Sequence, residues 1–264
     1  MGRIREDEIA DDSGSGGWGV DLAWGRRGAR DAAARGDVMV VVDVLSFSTA
    51  VATAVAHGGI IYPCGKHDDA AAIAQAVGAT VAVHRNSVLK SGQYSLSPLS
   101  FVGIQSGQKV VLPSPNGSVC SDYGRHVPAL FAGALVNASA TAHAAMAECA
   151  RRAKQVTVIC AGERWGDAFE QEEMRVAIED YLGAGAIISH IPAKKSPEAT
   201  LCETAFTASR ENVANLIRGS GSGQELIERG YAGDIGHAVQ LDYYTAAAVL
   251  RDGCFVRWAA TSVG

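Results

Sequence analysis

Residues 38–49 read Val-Met-Val-Val-Val-Asp-Val-Leu-Ser-Phe-Ser-Thr. The apolar run from Val38 to Val42 is unbroken and stops at Asp43. Such a run suits a strand buried on both faces, as in a parallel sheet. Ser46, Phe47, Ser48 and Thr49 then open an Ala/Val-rich stretch closed by Gly58-Gly59, the pattern of a helix with its start and stop. The segment is read as a strand, a carboxylate at its C-terminal end and a hydroxyl-rich helix start. In open α/β sheets, ligands bind outside the carboxyl ends of the strands. A helix start there offers N–H groups and the positive end of a dipole, which together attract anions. A carboxylate beside an anion site calls for a cation between them. That combination points to metal-assisted chemistry on a phosphate or a carboxylate.

Outward from this segment, strand-like and helix-like stretches alternate. Strands are expected at Val20–Trp24, Ile60–Pro63, Thr80–Val83, Lys109–Leu112, Ala129–Ala132, Gln155–Cys160 and Phe255–Ala259. Helices are expected over 30–34, 46–57, 68–77 and 139–150. A further helix is expected from about Glu170 to Tyr181, stopping at Gly183-Ala184-Gly185, and residues 197–250 read as mostly helical. The alternation predicts a three-layer α/β/α fold around a largely parallel sheet. Residues 1–17 are acidic and then Gly/Ser-rich, and are read as a flexible leader ahead of one α/β domain over 18–264, with two α/β subdomains as the variant. Gly14, Gly16 and Gly19 match a dinucleotide fingerprint in letters only, since no strand precedes them.

The 264 residues are 48% hydrophobic and 19% charged, which fits an ordinary globular core. A formal net charge of -5 gives nucleic-acid binding no electrostatic support. No apolar stretch reaches membrane-spanning length, and the N-terminus lacks the apolar core of a signal peptide, so a cytoplasmic location is expected. The six cysteines form no Cys-x-x-Cys pair and read as reduced buried thiols. The histidines fall at no zinc-ligand spacing, and there is no Gly-x-Ser-x-Gly elbow and no Walker A sequence.

Three further segments carry polar groups at strand ends. Ser114-Pro115-Asn116-Gly117-Ser118 follows an apolar strand, and its Asn-Gly permits a turn that aims N–H groups at one point. Ser114 and Ser118 add hydroxyl donors. The same residues also suit a plain strand-to-helix turn. Cys160-Ala161-Gly162-Glu163-Arg164 places Glu163 at another strand end, as Asp43 is placed. Two such carboxylates can share a hard cation such as Mg2+. Arg164 can hold an anionic group with its guanidinium fork, or form a surface ion pair. In Glu179-Asp180, adjacent acids point about 100° apart on a helix, so one of the two faces the site, with neither preferred. His84, ending a strand before a polar loop, is a lesser candidate.

Taken in order, these segments resemble the 2-phosphosulfolactate phosphatase family. The matching stretches are Val42–Thr49, Ser97-Pro98 with Phe101, Ser114–Ser118, Cys160-Ala161-Gly162 and Glu179–Ala186, with Asp252-Gly253 near the end. The resemblance implies an α/β/α fold and Mg2+-dependent hydrolysis of a phosphate ester of a small sulfonated acid, whose product serves coenzyme M synthesis. It implies Asp43 as a metal ligand or catalytic acid, Asn116 and Ser118 as substrate contacts, and Glu179 or Asp180 as a metal-site acid. Two acidic positions of the family pattern are absent: Val83-His84-Arg85-Asn86 and Tyr94–Pro98 stand in their places, with Glu163 as the candidate to compensate.

The resulting expectation is a phosphatase acting on a small anionic phosphate ester. Asp43, Glu163 and Asp180 are the expected catalytic acids, and Asp43, Glu163 and Glu179 the expected Mg2+ ligands. Ser46, Ser48, Ser114, Asn116, Gly117 and Ser118 would hold the phosphate, and Arg85 or Arg164 the distal anion. Asp43 as a covalent nucleophile stays open. The competing readings are another reaction class on the same scaffold, such as a lyase or another hydrolase, and a non-catalytic anion-binding protein. A homodimer is the expected assembly.

Overall fold

The computed structural model describes residues 19–66, 68–85, 87, 93–165 and 173–260. The expected leader, 1–17, lies outside the described residues, as does the start of the helix expected from Glu170. In chain order the elements are β1 (Val20–Trp24), α1 (Gly25–Arg35), β2 (Val38–Val42), α2 (Phe47–Ala56), β3 (Ile60–Cys64), α3 (Ala70–Val77) and β4 (Thr80–Val81). Then come β5 (Lys109–Pro113), α4 (Gly117–Tyr123), β6 (Leu130–Gly133), α5 (Ala138–Arg152), β7 (Val156–Cys160), β8 (Glu163–Arg164) and β9 (Met174–Arg175). The chain continues with α6 (Ile178–Ile188), α7 (Pro197–Ser209), α8 (Val213–Gly219), α9 (Gly221–Glu228), α10 (Ala232–Ala238), β10 (Ala248–Arg251) and β11 (Cys254–Arg257).

The apolar run at Val38 is an interior strand of a nine-stranded sheet ordered β1-β7-β2-β6-β10-β11-β3-β5-β4. It lies parallel to β7 on one side and to β6 on the other. Its alternate side chains enter opposite layers, as the strand pleat dictates. Val38, Val40 and Val42 pack with Ala138 and Ala142 of α5, Leu182 and Ala186 of α6, and Phe206 of α7. Met39 and Val41 pack with Ala29 and Ala32 of α1, Phe47 and Val51 of α2, and Cys120 of α4. Helices thus cover both faces, which makes the expected three-layer α/β/α arrangement.

The sheet is mixed where the sequence suggested only a largely parallel one. β10 and β11 form an antiparallel hairpin between the parallel groups β1-β7-β2-β6 and β3-β5-β4. Three successive antiparallel ladders make the two groups run in opposite senses. The turn leaving β5 nevertheless reaches the end of β2, where the Gly117 N–H meets Asp43. The hairpin was expected only in part: residues up to 250 read as helical, and β11 as a lone strand over 255–259. Its turn is Asp252-Gly253, with φ of 51° and 79°, the two left-handed residues of a two-residue hairpin loop.

α6 also differs from expectation. It runs through Gly183-Ala184-Gly185 instead of stopping there. These glycines serve close approach. A Cβ on Gly185 would lie 2.5 Å from the Cys202 carbonyl oxygen and 2.6 Å from Phe206 Cβ, both on α7. We therefore expect Gly185→Val to lose about 1–3 kcal/mol of stability through overpacking. Urea denaturation checks this, and a change below half a kcal/mol would show that α6 and α7 can move apart freely.

Candidate active site

Asp43 follows β2 and is buried. One carboxylate oxygen accepts from the Phe47 N–H of α2 at 3.1 Å, and the other accepts from the Gly117 N–H of α4 at 2.9 Å. The acid thus caps the starts of two helices that follow two different strands. The free anion site expected at α2 is filled, in this chain, by its own carboxylate. Burial pushes the Asp43 carboxyl up to about 6, against the pull of those two N–H groups.

Asp180, in the first turn of α6, makes a parallel link. It accepts from the Val44 N–H at 2.8 Å and from the Gly162 N–H at 2.9 Å. Of the pair Glu179-Asp180, both are buried, and each has a distinct partner: Glu179 accepts from the Ser220 hydroxyl at 3.2 Å. Glu163 starts β8 and accepts from the Asn116 side-chain amide at 2.9 Å. Its carboxyl rises to about 8, first through burial and then through the charges of Asp43 and Glu179. Asp180 is held well above the usual carboxylate range by burial, then by Asp43 and Glu179. Four acids, from the end of β2, from β8 and from α6, therefore share one electrostatic field.

A cleft of about 190 Å3 opens beside them. Asp43, Ser46, Ser114, Asn116 and Glu163 line one side, and Ser222, Glu225, Leu226 and Arg229 line another. Arg85 lies between, donating to the Ser46 hydroxyl at 2.5 Å and to the Leu96 carbonyl at 2.8 Å. Its guanidinium stands 5.2 Å from the Tyr231 ring centroid and 3.8 Å from Asp234 Oδ2. Ser97 donates to the other oxygen of Asp234 at 2.5 Å. Asp234, Tyr231 and the α9 residues were not singled out from the sequence. They lie far along the chain in a stretch whose signals were merely helical.

Asp43, Ser46, Arg85, Ser114, Asn116 and Glu163 come together in the cleft. Others are placed differently. The Ser48 hydroxyl donates to the Val41 carbonyl at 2.8 Å and accepts from the Asp43 N–H at 3.1 Å. The Ser118 hydroxyl donates to the Leu112 carbonyl at 3.2 Å, and the Gly117 N–H goes to Asp43. These three groups, expected to hold phosphate, bond the turns themselves in this structure. Arg164 is not among the cleft residues; its charge is felt at Cys120 of α4. Burial pushes that thiol up to about 12, which leaves it no nucleophilic thiolate at neutral pH. His84 lines a larger adjoining cavity of about 560 Å3. Among the described residues, no three His, Cys, Asp or Glu side chains close into a ready-made metal cage. No described helix is long and apolar enough to cross a membrane.

The family model described as 2-phosphosulpholactate phosphatase matches residues 27–253. The chain belongs to this family. Several relatives bear the name "Probable 2-phosphosulfolactate phosphatase", among them the following three. That of Carboxydothermus hydrogenoformans is 29% identical over 209 residues, 77% of this chain and 82% of the relative. That of Pseudothermotoga lettingae is 27% identical over 225 residues, 84% and 93% of the two chains. That of Gloeobacter violaceus is 26% identical over 235 residues, 82% and 92% of the two chains. The match spans the strand ends that supply Asp43, Asn116 and Glu163, as well as the α9 residues and Arg229 that wall the cleft.

In this member of the 2-phosphosulfolactate phosphatase family, the raised carboxyls set a pH dependence. A carboxyl raised on folding stabilises the fold fully below its unfolded value, and that contribution is lost as pH climbs through the folded value. For Asp43 the window is from 3.8 to about 6, and for Glu163 from 4.5 to about 8. In metal-free buffer the urea midpoint should therefore fall between pH 5 and pH 8. Glu163→Gln should shrink that fall, and an identical fall in both proteins would place the titrating group elsewhere.

Proposed function

We propose that the chain is a Mg2+-dependent phosphatase that hydrolyses a small phosphorylated hydroxy acid of the 2-phosphosulfolactate type. The observation that carries this reading is the set of mutually repelling carboxylates at the strand ends, opening onto a small cleft that also holds Arg85. Like charges in low dielectric are stable together when a cation or protons offset them. Asn116 Oδ1 is buried without a hydrogen-bond partner and adds an oxygen donor beside Glu163. Mg2+ uses few protein carboxylates and completes its shell with water and substrate phosphate oxygens, so an open set suits it. Asp43, Glu163 and Asn116 would hold the ion, with Glu179 and Asp180 behind them. The ion would neutralise phosphate charge and lower the pKa of a bound water.

The chain's own groups do the positioning. Both Asp43 oxygens are tied to helix starts, which favours a fixed ligand over a nucleophile that must swing onto phosphorus. The Ser46 and Ser114 hydroxyls lie at the cleft to meet phosphate oxygens. Arg85, backed by Asp234 and stacked on Tyr231, would grip the substrate carboxylate. Leu45, Leu96 and Leu226 restrict water at the reacting phosphorus. A water oxygen adds to phosphorus, the bond to the ester oxygen breaks, and the hydroxy acid leaves with a proton. The same reading has the enzyme acting in the cytoplasm as a homodimer.

Phosphate release from racemic 2-phosphosulfolactate with Mg2+, and then with excess EDTA, tests the reading. We expect turnover that EDTA abolishes and added Mg2+ restores. Turnover that survives EDTA would remove the metal from the scheme, and no release from any phosphate ester would favour a binding protein. Asp43→Asn should lower kcat at least about 100-fold. Arg85→Gln should act mainly on KM, raising it about tenfold for a carboxylate-bearing ester; a pure kcat effect would move Arg85 from substrate binding to the reacting phosphate.

A further inference from the structure

The 190 Å3 cleft suits a three-carbon phosphorylated acid, yet it is not the larger space at this site. The adjoining cavity of about 560 Å3 shares Arg85, Leu96, Ser114, Pro115 and Arg229 with it. A molecule seated in the cleft therefore abuts the second space directly. That volume falls within the ~300–1,000 Å3 of sites that enclose larger organic ligands. A sulfomethyl group would leave most of it to water.

Its chemistry is uneven in a useful way. Ala82, Val83, Leu96, Leu112, Pro113 and Pro115 give it a mainly apolar wall. Its charged and titratable residues, among those described, are Lys66, His84, Arg85 and Arg229, none of them acidic. The acids that face the reacting phosphate lie on the other side of Ser114 and Arg85. An anionic substrate is drawn in by these cations, but only an apolar group gains from the wall itself.

We propose that the adjoining cavity is a second substrate subsite, and that the preferred substrate is a phosphorylated 2-hydroxy acid carrying a ring-sized apolar group on its third carbon. The inference rests on the phosphatase reading and changes the far end of its substrate. The phosphate occupies the cleft, the carboxylate meets Arg85 and Arg229 at the junction, and the apolar group lies against Val83 and Leu112.

Three esters that differ only at the third carbon test it: 2-phospholactate, 2-phosphosulfolactate and 2-phospho-3-phenyllactate. With Mg2+ present, we expect kcat/KM for the phenyl ester to exceed that for the methyl ester about tenfold or more. Val83→Trp, with Val83→Phe as the milder filling, should bring that ratio towards one. Preference for the sulfonate, equal rates for all three, or a ratio that filling Val83 leaves untouched would overturn the subsite. Release from the small ester without a phenyl preference would thus sink the subsite and leave the phosphatase reading standing. If no ester is hydrolysed, that reading fails, and titration calorimetry with the same esters still decides the subsite. Phenyl binding about tenfold tighter than methyl supports it, and equal or undetectable binding of the two refutes it.

Discussion

The Asp43 carboxylate accepts one N–H from the start of α2 and one from the start of α4. That pair of bonds ties the turn after β2 to the turn after β5, which belong to strand groups of opposite sense. Without a shared acceptor, two buried N–H groups would lose their partner, at about 1–3 kcal/mol each. The approach also fixes a residue type. A Cβ on Gly117 would stand 2.3 Å from the Phe47 ring and 2.8 Å from Asp43 Oδ2. Position 117 is glycine because the α4 start must come within hydrogen-bond reach of the acid.

Asp180 repeats the device one strand away, joining the Val44 and Gly162 N–H groups. The two aspartates together hold the chain segments after β2, β5 and β7 in one frame. Their environment is unfavourable for charge: burial and neighbouring acids raise Asp43, Glu163 and Asp180 alike. A protein built for stability alone would have fewer acids here. Local conflict of this sort, held in place by well-satisfied backbone bonds, is where sequence rules give way to a working site.

Much of this was readable beforehand because it is local. The Val38–Val42 run, the acid that ends it, the Ser114–Ser118 turn and Glu163 after β7 depend on neighbours within a few residues. The Ser48 and Ser118 hydroxyls bond backbone carbonyls, a placement with no sequence signal, since a hydroxyl at a strand end can serve the backbone as well as a ligand, and only packing decides. The bond from Ser97 to Asp234 spans 137 residues and left no local trace. The hairpin did leave one, Asp-Gly between apolar runs, but the preceding helical stretch masked it. At Gly183 and Gly185 the letters of a helix stop were present, and tertiary packing used them for close contact instead.

The seam between the two strand groups has a mechanical consequence. β11 meets β3 through a single register pair, Phe255 with Ile61. α2 lies across that seam, touching β6, β10, β11 and β3, and its residues from Phe47 to Val55 are all buried. It acts as a splice between two half-sheets, carrying shear through side-chain packing where backbone bonds are sparse. Asp43 is fastened to the first turn of that splice. The position of the acid over the cleft is thus tied to the fit of a helix core that packs on both half-sheets.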